Sequence, residues 1–86
     1  MASNNMSSTD SLIDILETGI KREEEANEFY LEAAERVISP RQKKILLQLA
    51  REELGHKANL LKLLTAAKAQ KEIDRAISGD VTDVES

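Results

Sequence analysis

The sequence predicts an all-α protein: an antiparallel two-helix hairpin plus a short C-terminal helix, completed into a four-helix bundle by dimerisation. Three observations carry this. The 86 residues include three glycines and one proline, with Phe29 and Tyr30 as the aromatic residues. The remainder is rich in Ala, Leu, Glu, Lys and Arg, which favour helices. Two long segments carry a stripe at alternating steps of three and four, the spacing of one helix face. Between them falls "SPRQ": Pro40 disfavours a helical conformation at Ser39 and is well suited to open the next helix. So short a link makes the helices antiparallel neighbours. A lone hairpin would leave much of both stripes in water, so a homodimer at least is expected.

Residues 1–10, "MASNNMSSTD", are small and polar and are expected to be disordered, without the apolar segment of an export signal. The domain spans 11–77. Its first helix, 11–38, starts near Ser11, with Asp14 three residues on as a weak capping box. Its stripe is Leu16, Ile20, Glu23, Asn27, Tyr30, Ala34 and Val37. The second helix, 40–69, opens on a better capping box formed by Ser39 and Gln42. Its stripe is Leu46, Leu49, Glu53, His56, Leu60, Leu63 and Ala67. A short helix at 71–77 packs through Ile73 and Ile77 and stops before Gly79. Residues 78–86 form a disordered acidic tail.

Composition excludes several function classes. A net charge of −4 argues against a nucleic-acid partner, which needs a basic face to displace counterions. No apolar run reaches the length of a membrane span. With no cysteine there is no disulfide, thiolate zinc site or cysteine nucleophile. The cytoplasm is the default location.

Both stripes are interrupted by acids. Glu23 stands fifteen residues before Ile38 and Glu53 fifteen after it, which sets them level in an antiparallel pair. His56 follows one helical turn beyond Glu53 on the same face. Burying ionised carboxylates without partners is costly, so these groups need either a wet patch or a cation. One chain supplies half a coordination shell. Two copies supply four glutamates and two histidines, enough for two carboxylate-bridged ions, the arrangement of di-iron and di-manganese four-helix bundles. Such donors suit iron or manganese, and zinc accepts the same ligand types. A blander reading stands beside this one. Among eleven glutamates a Glu-x-x-His match arises by chance, a lone histidine is usually structural or solvated, and a bundle tyrosine often only packs. On that reading the chain is a structural or adaptor dimer whose polar seam sets register, or it holds a structural zinc ion.

The segments "EEEANEFY", with Glu23 seven residues before Tyr30, and "LAREELGH" resemble the ferritin-like superfamily on its rubrerythrin side. The resemblance covers Ile20 to Leu64. Full-length members carry two such hairpins and this chain carries one, so it is most similar to the encapsulated ferritins. Those rebuild the four-helix bundle between two subunits, assemble the dimers into a ring and oxidise iron(II) inside an encapsulin shell. The resemblance implies a ferroxidase, an iron(II):oxygen oxidoreductase serving iron storage or detoxification, with a di-iron centre between subunits. Glu23, Glu53 and His56 would be the metal ligands, Tyr30 a supporting group beside them, and an encapsulin compartment the location. A rubrerythrin-like oxidant-defence protein is the alternative. Three features depart from the pattern. Glu25 matches one of the extra acids of an iron-uptake site, but Arg22 replaces the other. The tail "GDVTDVES" does not look like an encapsulin-docking peptide. No rubredoxin-like cysteine pair is present to feed electrons.

Overall fold

The computed structural model describes residues 8–85, with side chains described for residues 10–78. It contains two helices, α1 (Ser8–Arg36) and α2 (Pro40–Glu85), and no strand among the described residues. They pack antiparallel as a single layer, 70 Å long and 12 Å thick. Twelve ångströms is about one helix diameter, so the protein is a flat hairpin without a second layer.

The turn forms as the capping chemistry requires. The Ser39 carbonyl accepts the first helical bond of α2 from the Lys43 amide at 2.9 Å, and its hydroxyl accepts from the Gln42 amide at 3.3 Å. These bonds satisfy amides that a helix start leaves without intrahelical partners.

Two boundaries differ from the sequence expectation. Helix α1 begins at Ser8, so residues 8–10 are helical, while 1–7 lie outside the described residues; it ends at Arg36 rather than 38. More consequentially, the expected break after residue 69 does not exist: the 71–77 helix and the backbone of the tail as far as Glu85 continue α2. The segment "TAAKAQKEIDRAIS" explains why. It holds no glycine or proline, and Gln70 bonds Asp74 at 2.9 Å while Arg75 pairs with Glu72 at 3.0 Å, both at helical spacing. Ile73 and Ile77 were expected to pack; both are exposed. Helix α1 starts level with Lys71, whose ammonium lies 2.8 Å from Asp10. Beyond that level α2 has no helix beside it.

The core is thin. Leu16, Leu64 and Ala67 cluster near the open end, with Ile13, Ile20 and Leu60 packed against them, and Ala34 and Ala50 are buried elsewhere along the seam. In α1 the seam is the predicted stripe. In α2 Leu46, Glu53, Leu60 and Ala67 keep their expected seam places and the three positions between them shift by one residue. Ala50, Lys57 and Leu64 stand where Leu49, His56 and Leu63 were expected; Leu49 is half-buried and Leu63 is 56% exposed. Small residues let the helices approach closely here: a methyl group built on Gly19 would lie 3.3 Å from Leu60. The row Leu49–His56–Leu63, spaced by seven, therefore runs beside the seam and faces out of the layer. Helical spacing puts Leu12, Ile15 and Ile45, all exposed, on the same side. The opposite side carries the ion pairs Lys57–Glu24 at 2.7 Å and Lys68–Glu17 at 3.7 Å.

Candidate metal centre

Halfway along the seam the packing turns polar. Glu23 projects from α1 and Glu53 from α2, both half-buried, and His56 stands one turn from Glu53. The imidazole Nδ1 lies 3.0 Å from Glu23 Oε2 and 3.5 Å from Glu53 Oε1. One donor atom from each of the three residues falls within 4.8 Å of the others. The antiparallel register inferred from sequence thus brings Glu23, Glu53 and His56 together.

The environment of the three is uneven. The Glu23 and Glu53 side chains are 22% and 17% exposed, whereas that of His56 is 62% exposed. Sequence periodicity set all three on the inward stripe; the structure keeps the carboxylates in the seam and moves the imidazole to the open face, because Lys57 takes the seam position. Glu23 Oε2 is buried and has no hydrogen bond of good geometry, although His56 is close. Nor does any Lys or Arg pair with Glu23 or Glu53 among the described residues: Lys57, the nearest seam cation, is drawn to Glu24. When Nδ1 carries no proton, all three converging atoms are lone-pair acceptors. Two carboxylates and an imidazole left in this state suit a cation of the hard-to-borderline class, such as iron or manganese.

A second polar contact fixes the level of the site. Asn27, one turn along α1 from Glu23, donates from Nδ2 to the Ala50 carbonyl at 2.7 Å, and Ala50 lies three residues before Glu53. Sequence periodicity placed Asn27 in the seam without giving it a role; an amide among apolar seam positions was the available signal. Tyr30, expected beside the site, is half-buried, meets Phe29 edge-on with ring centroids 5.4 Å apart, and has no hydrogen bond to the cluster. Glu25 and Arg22 are exposed and form no second acidic group with the site.

A surface groove of about 660 Å³ is lined by Pro40, Lys43, Lys44 and Arg51 on the outer side of α2, away from the cluster. In one chain the imidazole lies on an open face, with the two carboxylates in the seam beside it.

A flat helical hairpin with two seam carboxylates and a Glu-x-x-His pair defines a ferritin-like protein. The rubrerythrin family model matches residues 14–85, and the chain belongs to that family. Rubrerythrins typically bind iron, so membership is consistent with a di-iron protein and an iron oxidoreductase. Comparison with curated proteins and with solved structures gives no match. No helix among the described residues is long and apolar enough to cross a membrane.

Proposed function

We propose that the protein is a ferroxidase: two copies meet across the open face, take up iron(II) between them and pass its electrons to oxygen. The observation that carries this is the donor cluster itself, with Glu23, Glu53 and His56 converging on one point and the imidazole exposed on the open face. A two-fold axis through that point doubles the donors to four carboxylates and two imidazoles. It also covers half-buried Leu49 and the exposed Leu63, Ile15 and Ile45.

In this reading Glu23 and Glu53 hold the substrate ions close together, and their hard oxygens favour iron(III) over iron(II). The pair of ions supplies electrons to oxygen in a shared step. His56 contributes one nitrogen from the open side. Asn27 keeps the two carboxylates level. Tyr30, two turns from Glu23 toward the turn, is proposed as a group packed beside the centre. Manganese or zinc would fit the same donors, and only iron would support the reaction.

The resemblance to encapsulated ferritins extends the proposal to a ring of dimers held in an encapsulin shell, for iron storage or detoxification. Co-purification with a co-expressed encapsulin tests that part. The catalytic part is tested by iron-dependent oxygen consumption. The unsubstituted chain is expected to consume oxygen on addition of iron(II), and Glu53→Ala and His56→Ala are expected to abolish it; full turnover by either variant overturns the assignment. Ferric mineral on the protein distinguishes storage from the oxidant-defence alternative.

A further inference from the structure

Lys57 stands where an ammonium could most readily spoil the donor cluster. It is half-buried in the seam, one helical turn beyond Glu53 and next to His56. On a helix, an acid four residues before a lysine is the favoured order for an ion pair, so Glu53 is the partner that local spacing offers. The structure shows a different one. The Lys57 ammonium crosses to α1 and lies 2.7 Å from Glu24, and no ion pair joins it to Glu23 or Glu53. Glu24 differs in this from the other acids of its stretch: Glu25, Glu28, Glu32 and Glu35 form no ion pair among the described residues.

The carboxylates of Glu23 and Glu53 lie between two faces of the layer. The His56 imidazole is on one, and the Lys57–Glu24 pair is on the other. Glu24 follows Glu23 by one residue, which turns its side chain about 100° round α1 and away from the donors. The lysine stem is flexible, so release alone would bring the ammonium round: Glu53 is one turn back on its own helix, and Glu23 adjoins Glu24. Stability does not account for the choice of partner. Side chains exposed to 30% and 46% make an ion pair that adds little to a fold. What differs between the two pairings is the state of the donors. With the ammonium on Glu24, both carboxylates keep their lone pairs open to a metal ion. With the ammonium turned inward, a metal ion must first displace it.

We propose that Glu24 is a positioning residue of the metal centre: it holds the Lys57 ammonium on the far face, so that Glu23 and Glu53 stay open to a divalent cation. The inference rests on the reading of Glu23, Glu53 and His56 as metal donors, and it adds the residue that keeps a competing cation off them. Glu24 acts through Lys57 and does not itself join the cluster. Apparent affinity falls in proportion to the fraction of chains whose donors are free, so an ammonium engaged nine-tenths of the time lowers it about tenfold.

Cobalt(II) titration of four chains tests this: the unsubstituted protein, Glu24→Gln, Lys57→Met and the double variant. Methionine keeps most of the stem in the seam without the charge. Glu24→Gln is expected to bind about tenfold more weakly. Lys57→Met is expected to stay within about threefold of the unsubstituted chain, and the double variant to recover the same affinity, because no ammonium remains to compete. Undiminished affinity in Glu24→Gln overturns the proposal. So does a gain in Lys57→Met as large as the loss in Glu24→Gln, which would mean two charges acting independently through space. A crystal structure of metal-free Glu24→Gln gives a second readout: Lys57 Nζ is expected within about 4 Å of a Glu23 or Glu53 oxygen, and an ammonium left in solvent overturns the holding role. The two ideas fail separately. If the unsubstituted chain binds no cobalt(II), the donor reading falls, and the metal-free structure still decides whether Glu24 restrains Lys57. Equal, tight binding by the unsubstituted chain and Glu24→Gln keeps the donors and defeats the restraint.

Discussion

Asn27 and Ala50 are joined across the seam by a hydrogen bond of 2.7 Å, the one side chain–backbone bond between the helices among the described residues. It stands one turn from Glu23 and three residues from Glu53, so it pins the carboxylates that the site needs level. A slip of one residue would displace them by about 1.5 Å, enough to spoil a shared coordination shell. Asn27→Leu exchanges this pin for apolar packing at a half-buried position. The metal-free chain is expected to melt at the same temperature or a few degrees higher. Iron(II) or cobalt(II) affinity is expected to fall at least tenfold. Calorimetry and metal titration check the two halves, and undiminished affinity would refute the pinning role.

Metal should stabilise the folded dimer by binding it and not the unfolded chain. At a free metal concentration one hundred times Kd the gain is about 2.7 kcal/mol per site, or roughly 10–20 °C in Tm for a domain of this size. EDTA is expected to reverse the shift. His56→Ala and Glu53→Ala should abolish the response while keeping helical circular dichroism, since neither side chain belongs to the apolar core. Equal shifts in the variants and the natural chain would count against all three donors.

Leu63 and Leu64 are adjacent but face different neighbours, one exposed and one buried beside Leu16 and Ala67. Leu64→Ala is expected to cost about 2–4 kcal/mol through cavity formation. Leu63→Asp should leave the hairpin's helicity intact and raise the dimer dissociation constant at least a hundredfold. Sedimentation across a concentration series, alongside thermal melts, measures both. An undisturbed dimer in Leu63→Asp would show that this face is not the one a second copy covers.

Gly55 lies between Glu53 and His56 on the outside of α2, and a methyl group built there meets nothing within 4 Å. Within one chain the glycine serves no close approach between helices. Gly55→Ala is expected to stabilise α2 by about 1 kcal/mol without changing metal affinity. A loss of affinity or of assembly would mean that another copy comes against this surface.

The hairpin, its turn and the convergence of Glu23, Glu53 and His56 were legible because each rests on local rules: Pro40 with Ser39, a heptad-like stripe, and equal rise from a short turn. The one-residue shift at three α2 positions was not legible. Leu49 and Ala50, and Leu63 and Leu64, offer the same spacing, and hydrophobicity alone favours the larger residue of the first pair. The Asn27 amide on the Ala50 carbonyl accompanies the smaller residue in the seam, which leaves Leu49 half-buried at its edge, and Leu63 is exposed while Leu64 takes the core. The break after residue 69 failed for a related reason. The sequence reading gives 71–77 a helix of its own, packed through Ile73 and Ile77, whereas both are exposed and local propensity and the Gln70–Asp74 pair carry α2 onward past the Lys71–Asp10 contact.

A sheet one helix thick has no inside. If two copies form the centre as proposed, a site shielded from water exists only while they are together. Turnover per polypeptide is then expected to collapse on dilution below the dimer dissociation constant, making abundance itself the throttle on oxygen use.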